Sequence, residues 1–263
     1  MLSRNLDMAK KAYKNKDVEA SKKAHQALTD APEIHKHEQG QFIKSLIYGG
    51  LDGIITTFAV VAGVAGASLS FGVVLILGFA NLIADGLSMA IGDYLSSKAE
   101  NEYKQAERER EIWEIEHFPE GEKQEMIELY VSKGLSKEDA TAITNIISKN
   151  KEAWVDIMMV EELGIIEDNE SPVKNAIVTF LSFVIFGFIP LITYVISTFL
   201  PGLKDSAFII ASVLTGITLF ILGALKVKFT AKNWLSSGIE MLIIGGIAAF
   251  AAYGIGYVLS AVA

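Results

Sequence analysis

Apolar residues fall in five long runs, about Phe42–Ser68, Phe71–Ser96, Val173–Leu200, Ala207–Leu225 and Trp234–Val262, and almost every charge lies outside them. At ~1.5 Å per helical residue, each run can cross roughly 30 Å of hydrocarbon. Backbone in lipid must satisfy its own hydrogen bonds, so each run is predicted to be an α-helix. The polar stretch between the second and third runs is also helical in pattern. SSKAENEYKQAEREREIWEIEHF continues span 2 in good helix formers until Pro119 and Gly121 end it. Further helices are predicted over about Glu122–Lys133, stopped by Gly134, from a capping box at Ser136 and Asp139 to about Asn150, and over Glu152–Leu163, stopped by Gly164. Pro172 marks the return to the membrane. The predicted fold is an all-α integral membrane protein of five transmembrane helices, with a small cytosolic helical domain inserted between helices 2 and 3. Its parts are 1–41, an N-terminal segment; 42–96, spans 1 and 2; 97–171, the insert; and 172–263, spans 3 to 5.

Charge sets the orientation. Of 23 Lys and Arg residues, nine lie in 1–45, ten in 97–174, three in 226–233 and only Lys204 in 201–206. The positive-inside rule puts the N-terminus, the insert and the connection between spans 4 and 5 in the cytosol, and Ala263 on the far side. The N-terminal sequence has basic residues without an apolar core behind them, so it does not read as a signal peptide, and span 1 serves as its own insertion signal. Residues 1–40, containing AKKAYKNKDVEASKKAHQAL, read as a helix ending near Ala31-Pro32, either a solvated lead-in or a helix on the membrane surface. A formal net charge of −8 argues against nucleic acid as a partner. With no cysteine, any metal site must use oxygen, imidazole or thioether.

A few polar residues inside the runs carry the candidate chemistry. Asp52 lies within YGGLDGIITT of span 1, where a carboxylate is costly and reads as functional unless it reaches water at a helix end. Span 2 carries Asn81, Asp85, Met89 and Asp93 at a spacing of four, on one helical stripe. If spans 1 and 2 are antiparallel neighbours, Asp52, Met89 and Asp85 fall in one layer. A carboxylate beside a thioether suits a borderline transition metal, although a single Met is also ordinary core packing. Gly49, Gly50, Gly53, Gly86, Ala90 and Gly92 surround the stripe, which serves either close helix approach or room for an ion. Glu240 in span 5 is either a pathway residue or a juxtamembrane charge.

The insert is acidic, with 20 of the 31 carboxylates in residues 97–170 against nine Lys and Arg. Glu111/Glu114 and Glu122/Glu125 are i,i+3 pairs on helix faces, and Met158, Met159 and Glu162 make a third group. Brought together they form an oxygen-rich, sulfur-tipped site for divalent ions; kept apart they are solvated faces. Glu114-Ile-Glu-His117 is one E-x-x-H, whereas ferritin-like di-iron sites use two.

SLIYGGLDGIITTFAVVAG, NLIADGLSMAIGDYLSSKAE and EAWVDIMMVEELGI, with five spans and a Glu-rich insert after the second, resemble the vacuolar iron transporter family over about residues 40–263. The resemblance implies a homodimer that exports Fe²⁺, and often Mn²⁺ or other divalent ions, from the cytosol by proton antiport. The membrane is vacuolar in a eukaryote and the cell membrane in a prokaryote. It places pathway ligands at Asp52 and Met89, and cytosolic metal ligands at Glu111, Glu114, Glu122, Glu125, Met158, Met159 and Glu162. Where some members carry an acid in span 2 this chain has Asn81, with Asp85 the candidate substitute, so proton stoichiometry and ion preference stay open. The expected protein is not an enzyme and has no prosthetic group; its partners are divalent metal, protons, membrane lipid and a second copy. A membrane-anchored ferroxidase or iron store and a non-transporting metal sensor are the alternatives. Iron-dependent O₂ consumption would reveal the first, and absence of flux the second.

Overall fold

The computed structural model describes residues 6–26, 37–166, 171–230 and 233–261. The chain forms two compact units, Met1–Gly40 and Gln41–Ala263.

In the first unit the N-terminal helix is broken in two, α1 (Leu6–Asn15) and α2 (Val18–Gln26). Lys16 takes a positive φ of 55°, and the Asp17 carboxylate accepts from the Ala20 N–H at 2.9 Å, capping α2. Ala12 and Ala24 are buried. Ala31-Pro32, the predicted end of this helix, lies outside the described residues.

The described residues of the second unit form helices joined by short turns, with no strand among them. α3 (His37–Gly66), α4 (Phe71–His117), α8 (Pro172–Phe199), α9 (Ala207–Thr230) and α10 (Trp234–Leu259) each contain a stretch long and apolar enough to cross a membrane. α4 has 47 residues, so it runs on for about 70 Å and projects well beyond its apolar half. It stops before Pro119, as its sequence predicts, because the residue preceding a proline is pushed out of the helical region. α5 (Pro119–Ser132), α6 (Lys137–Ile147) and α7 (Lys151–Glu161) complete the insert. Ser136 accepts from the Asp139 N–H at 3.1 Å and donates to its carboxylate at 2.8 Å, the capping arrangement read from the spacing. Asn150 caps α7 through the Ala153 N–H at 3.1 Å. Ile115, Met126, Trp154, Val155, Met158, Met159 and Ile165 form the buried core of this small helical unit.

The membrane-type helices pack through small residues. A Cβ on Gly49 or Gly53 would strike the Thr179 or Phe183 backbone, which fixes α3 tightly on α8. At its other end α3 meets α10, Gly66 against Tyr253 and Gly63 against Gly256. α4 also packs on α8, Gly78 receiving Leu191, and a core of Val61, Val74, Leu82, Phe183, Leu191 and Tyr194 fills the space between.

Candidate metal centres

The insert brings three elements to one point. α4 supplies Glu111 and Glu114, α5 supplies Glu122 and Glu125, and the residue that ends α7 is Glu162. One carboxylate oxygen from each of Glu111, Glu122 and Glu162 lies within 4.8 Å of the others. Glu111 is 1% exposed and Glu122 5%, while Glu162 opens to solvent. The Glu111 and Glu122 carboxyl groups lie close enough that a proton on one can be offered to the other. Burial, then the charges of Glu122 and Glu162, push Glu111 up to about 8. Burial and the Glu125 charge likewise raise Glu122, and the same two causes raise Glu162. Glu114 lies close enough to act on all three. One Glu111 oxygen is buried with no hydrogen-bond partner. Such a group binds either protons or a cation that displaces them, because several carboxylates this close resist simultaneous ionisation.

Met158 and Met159 are 0% and 1% exposed in the apolar core, with Ile115 and Met126, each one turn beyond a trio glutamate. Ion pairs brace α7. Arg108 of α4 meets Asp156 at 2.7 Å, Lys133 meets Glu161 and Lys151 meets Glu116. The ring of His117 stacks on Trp113 at 4.4 Å, with Nδ1 2.8 Å from the Trp113 carbonyl, so the single E-x-x-H adds no imidazole to the trio.

In the membrane half, α3 and α4 run antiparallel in a fixed register. Asn81 Nδ2 donates to Thr56 Oγ1 at 3.4 Å and Thr57 Oγ1 at 3.5 Å. One turn back on α3 and one turn on along α4 are Asp52 and Asp85, within electrostatic reach of each other. The next turn brings Tyr48 and Met89 into the lining of a cavity of about 650 Å³, with Asp93, Ser97, Glu100 and Asn175. Met89 thus lies one turn nearer the insert than Asp52 and Asp85, because the register advances one residue per residue. Asp93 is held across the cavity wall by Thr179, whose hydroxyl donates to Oδ2 at 2.6 Å. Thr179 was not visible as a site residue in the sequence; the signal for Thr56 and Thr57 was their place one turn after Asp52. Asp85 faces outward and is exposed, and Glu240, exposed on the second turn of α10, belongs to neither the trio nor the cavity lining.

Residues 43–257 match the family model described as the VIT family. The chain is 42% identical to a protein named vacuolar iron transporter from Toxoplasma gondii, covering 98% of this chain and 90% of that one. It is 41% identical to one of the same name from Plasmodium falciparum, covering 98% of each. Vacuolar iron transporter 1 of Arabidopsis thaliana is 35% identical over 81% of this chain and 84% of its own.

Proposed function

The chain belongs to the VIT family, and from that premise we propose that it carries Fe²⁺, with Mn²⁺ and other divalent transition metals, out of the cytosol in exchange for protons. The insert and N-terminus face the cytosol in this reading, which the distribution of Lys and Arg supports. The Glu111–Glu122–Glu162 trio gathers the cation, and each proton it gives up makes an oxygen available as ligand. Asp93 and Met89 line the cavity through which the ion enters, and Asp52 with Asp85 receives it one turn deeper. The carboxylate and thioether together suit a borderline cation, and returning protons release it. Asp85 is exposed on α4, and a carboxylate facing lipid is costly, which supports a second copy covering that face as a homodimer.

The observation that carries this reading is the Asp52–Asp85 level lying one turn beyond a polar cavity, between helices apolar enough to cross a membrane. The His117 arrangement favours passage over ferritin-like storage, since the sequence has no second E-x-x-H and the His117 ring is stacked on Trp113 rather than joined to the trio. The test is Fe²⁺ uptake by the reconstituted protein in sealed vesicles, beside Asp52→Ala. Wild-type uptake that Asp52→Ala abolishes, with metal binding to the full chain retained, is the expected result. Equal uptake in the two proteins removes Asp52 from the path.

A further inference from the structure

Ala90, Ile91 and Tyr94 of α4 and Ile177, Phe180 and Leu181 of α8 line an open groove of about 300 Å³. Its walls are apolar and aromatic, and Ile91, Ile177 and Leu181 are exposed. The groove shares no lining residue with the cavity beside Met89. The Asp93–Thr179 bond joins the two helices between them, Asp93 next to Tyr94 and Thr179 next to Phe180.

The register of the two helices places charge at one end of this groove. α4 and α8 run antiparallel, with Leu191 at Gly78, Leu82 at Gly187, Phe183 at Gly86 and Thr179 bonded to Asp93. Each step along α4 is matched by one step back along α8, which brings Lys98 level with about Lys174. Lys98 lies one turn after Tyr94, and Lys174 one turn before Ile177. Both therefore stand on the stripes that line the groove, ~5 Å beyond its last side chains. Both are exposed. Lys98 is 3.7 Å from Glu102 on the same helix, an exposed pair that holds it weakly. Lys98 is the first basic residue of α4, and α8 carries no charge after Lys174. The two cations mark the boundary between apolar helix and water.

We propose that this groove is a binding site for an anionic phospholipid, with an acyl chain between α4 and α8 and the phosphate against Lys98 and Lys174. Charge complementarity selects the occupant. An apolar groove alone takes any hydrocarbon, but two lysines at one end favour a headgroup of net negative charge. Tyr94, between the lysines and the aliphatic part of the groove, has the ring and hydroxyl suited to the headgroup boundary. At 100° per residue Tyr94 stands half a turn around α4 from Asp85. The groove thus opens away from the face that the homodimer reading gives to a second copy. A lipid held there ties α4 to α8 at the level of the Asp93–Thr179 bond and braces one wall of the cavity. Such binding needs no transport activity.

The test uses the full chain in phosphatidylcholine nanodiscs with a trace of phosphatidylglycerol that carries a photoreactive acyl chain. Label should concentrate on residues 90–94 and 176–181. Unlabelled phosphatidylglycerol should displace it, whereas phosphatidylcholine and inorganic phosphate should not. Lys98→Gln and Lys174→Gln should each lower labelling of these segments about fivefold, and the pair about twentyfold, with labelling of the exposed face of α9 unchanged. Equal displacement by phosphatidylcholine would reduce the groove to ordinary lipid contact, and displacement by inorganic phosphate would make it an anion site without a lipid. Labelling that ignores both lysines overturns the proposal outright. The chain has no cysteine, so Ile177→Cys carries a single thiol at the mouth of the groove. It should stay monomeric under mild oxidation; a disulfide-linked pair would show that a second copy, not a lipid, covers this face.

Discussion

Thr179 on α8 donates its hydroxyl to Asp93 on α4 at 2.6 Å, joining two helices across the wall of the cavity that Met89 lines. Thr179 is fully buried, so the bond is shielded from water and fixes one Asp93 oxygen while leaving the other to the cavity. Thr179→Val keeps the shape and removes the donor. The expected result is a rise of about tenfold in the Fe²⁺ concentration for half-maximal flux, with maximal flux little changed, since a hydrogen bond to a charged group is worth about 1.5–3 kcal/mol. Thr179→Ser should restore the wild-type value. A valine variant with wild-type concentration dependence would leave the bond only a clasp between α4 and α8.

Met89 is half-buried against the bundle core and also lines the cavity, so packing and ligation predict different outcomes. Met89→Leu nearly conserves volume and should cost less than about 1.5 kcal/mol of stability. Loss of the thioether should lower Fe²⁺ or Co²⁺ flux by about tenfold. Thermal unfolding and flux measured on one preparation separate the two effects, and unchanged flux would assign Met89 to the core alone.

Glu111 is pushed up to about 8 from an ordinary 4.5 by burial and by neighbouring carboxylates. Between those values the folded insert holds a proton that the unfolded chain has released. Its contribution to stability is therefore complete below about 4.5 and is lost as pH rises toward about 8. Glu122 and Glu162 are raised in the same direction. Without metal, the unfolding temperature followed by tryptophan fluorescence, to which Trp113 and Trp154 of the insert contribute, should drop by several degrees between about pH 5 and about pH 8. Divalent metal should restore it at the higher pH, and Glu111→Gln should flatten the dependence. A metal-free transition that does not move with pH would show that the trio carries no shared proton.

Much of this was legible in the residues. Nothing between Ser97 and His117 breaks a helix, so the extension of α4 out of its apolar half could be read directly, and Ser136 with Asp139 marked the start of α6. The pairs Glu111/Glu114 and Glu122/Glu125 were legible by spacing, but their meeting with Glu162 depends on how α7 folds back, which local pattern does not encode. The same holds for Thr179 and Asp93, 86 residues apart. A threonine in an apolar helix looks unremarkable until its neighbours are known. The break at Lys16 was missed although Asp17 carries a cap signal, because the helix-forming residues on both sides mask it.

Proton exchange for metal is the central claim, and paired flux measurements test it most directly. The protein is reconstituted with a luminal pH indicator, Fe²⁺ is supplied on the insert side, and uptake is followed with the lumen acidic and with the lumen at the external pH. Uptake should be about tenfold faster into an acidic lumen, and luminal pH should rise in step with metal entry. Fe²⁺ entry at the same rate in both conditions, with luminal pH unmoved, would contradict proton antiport and leave a passive conduit for metal.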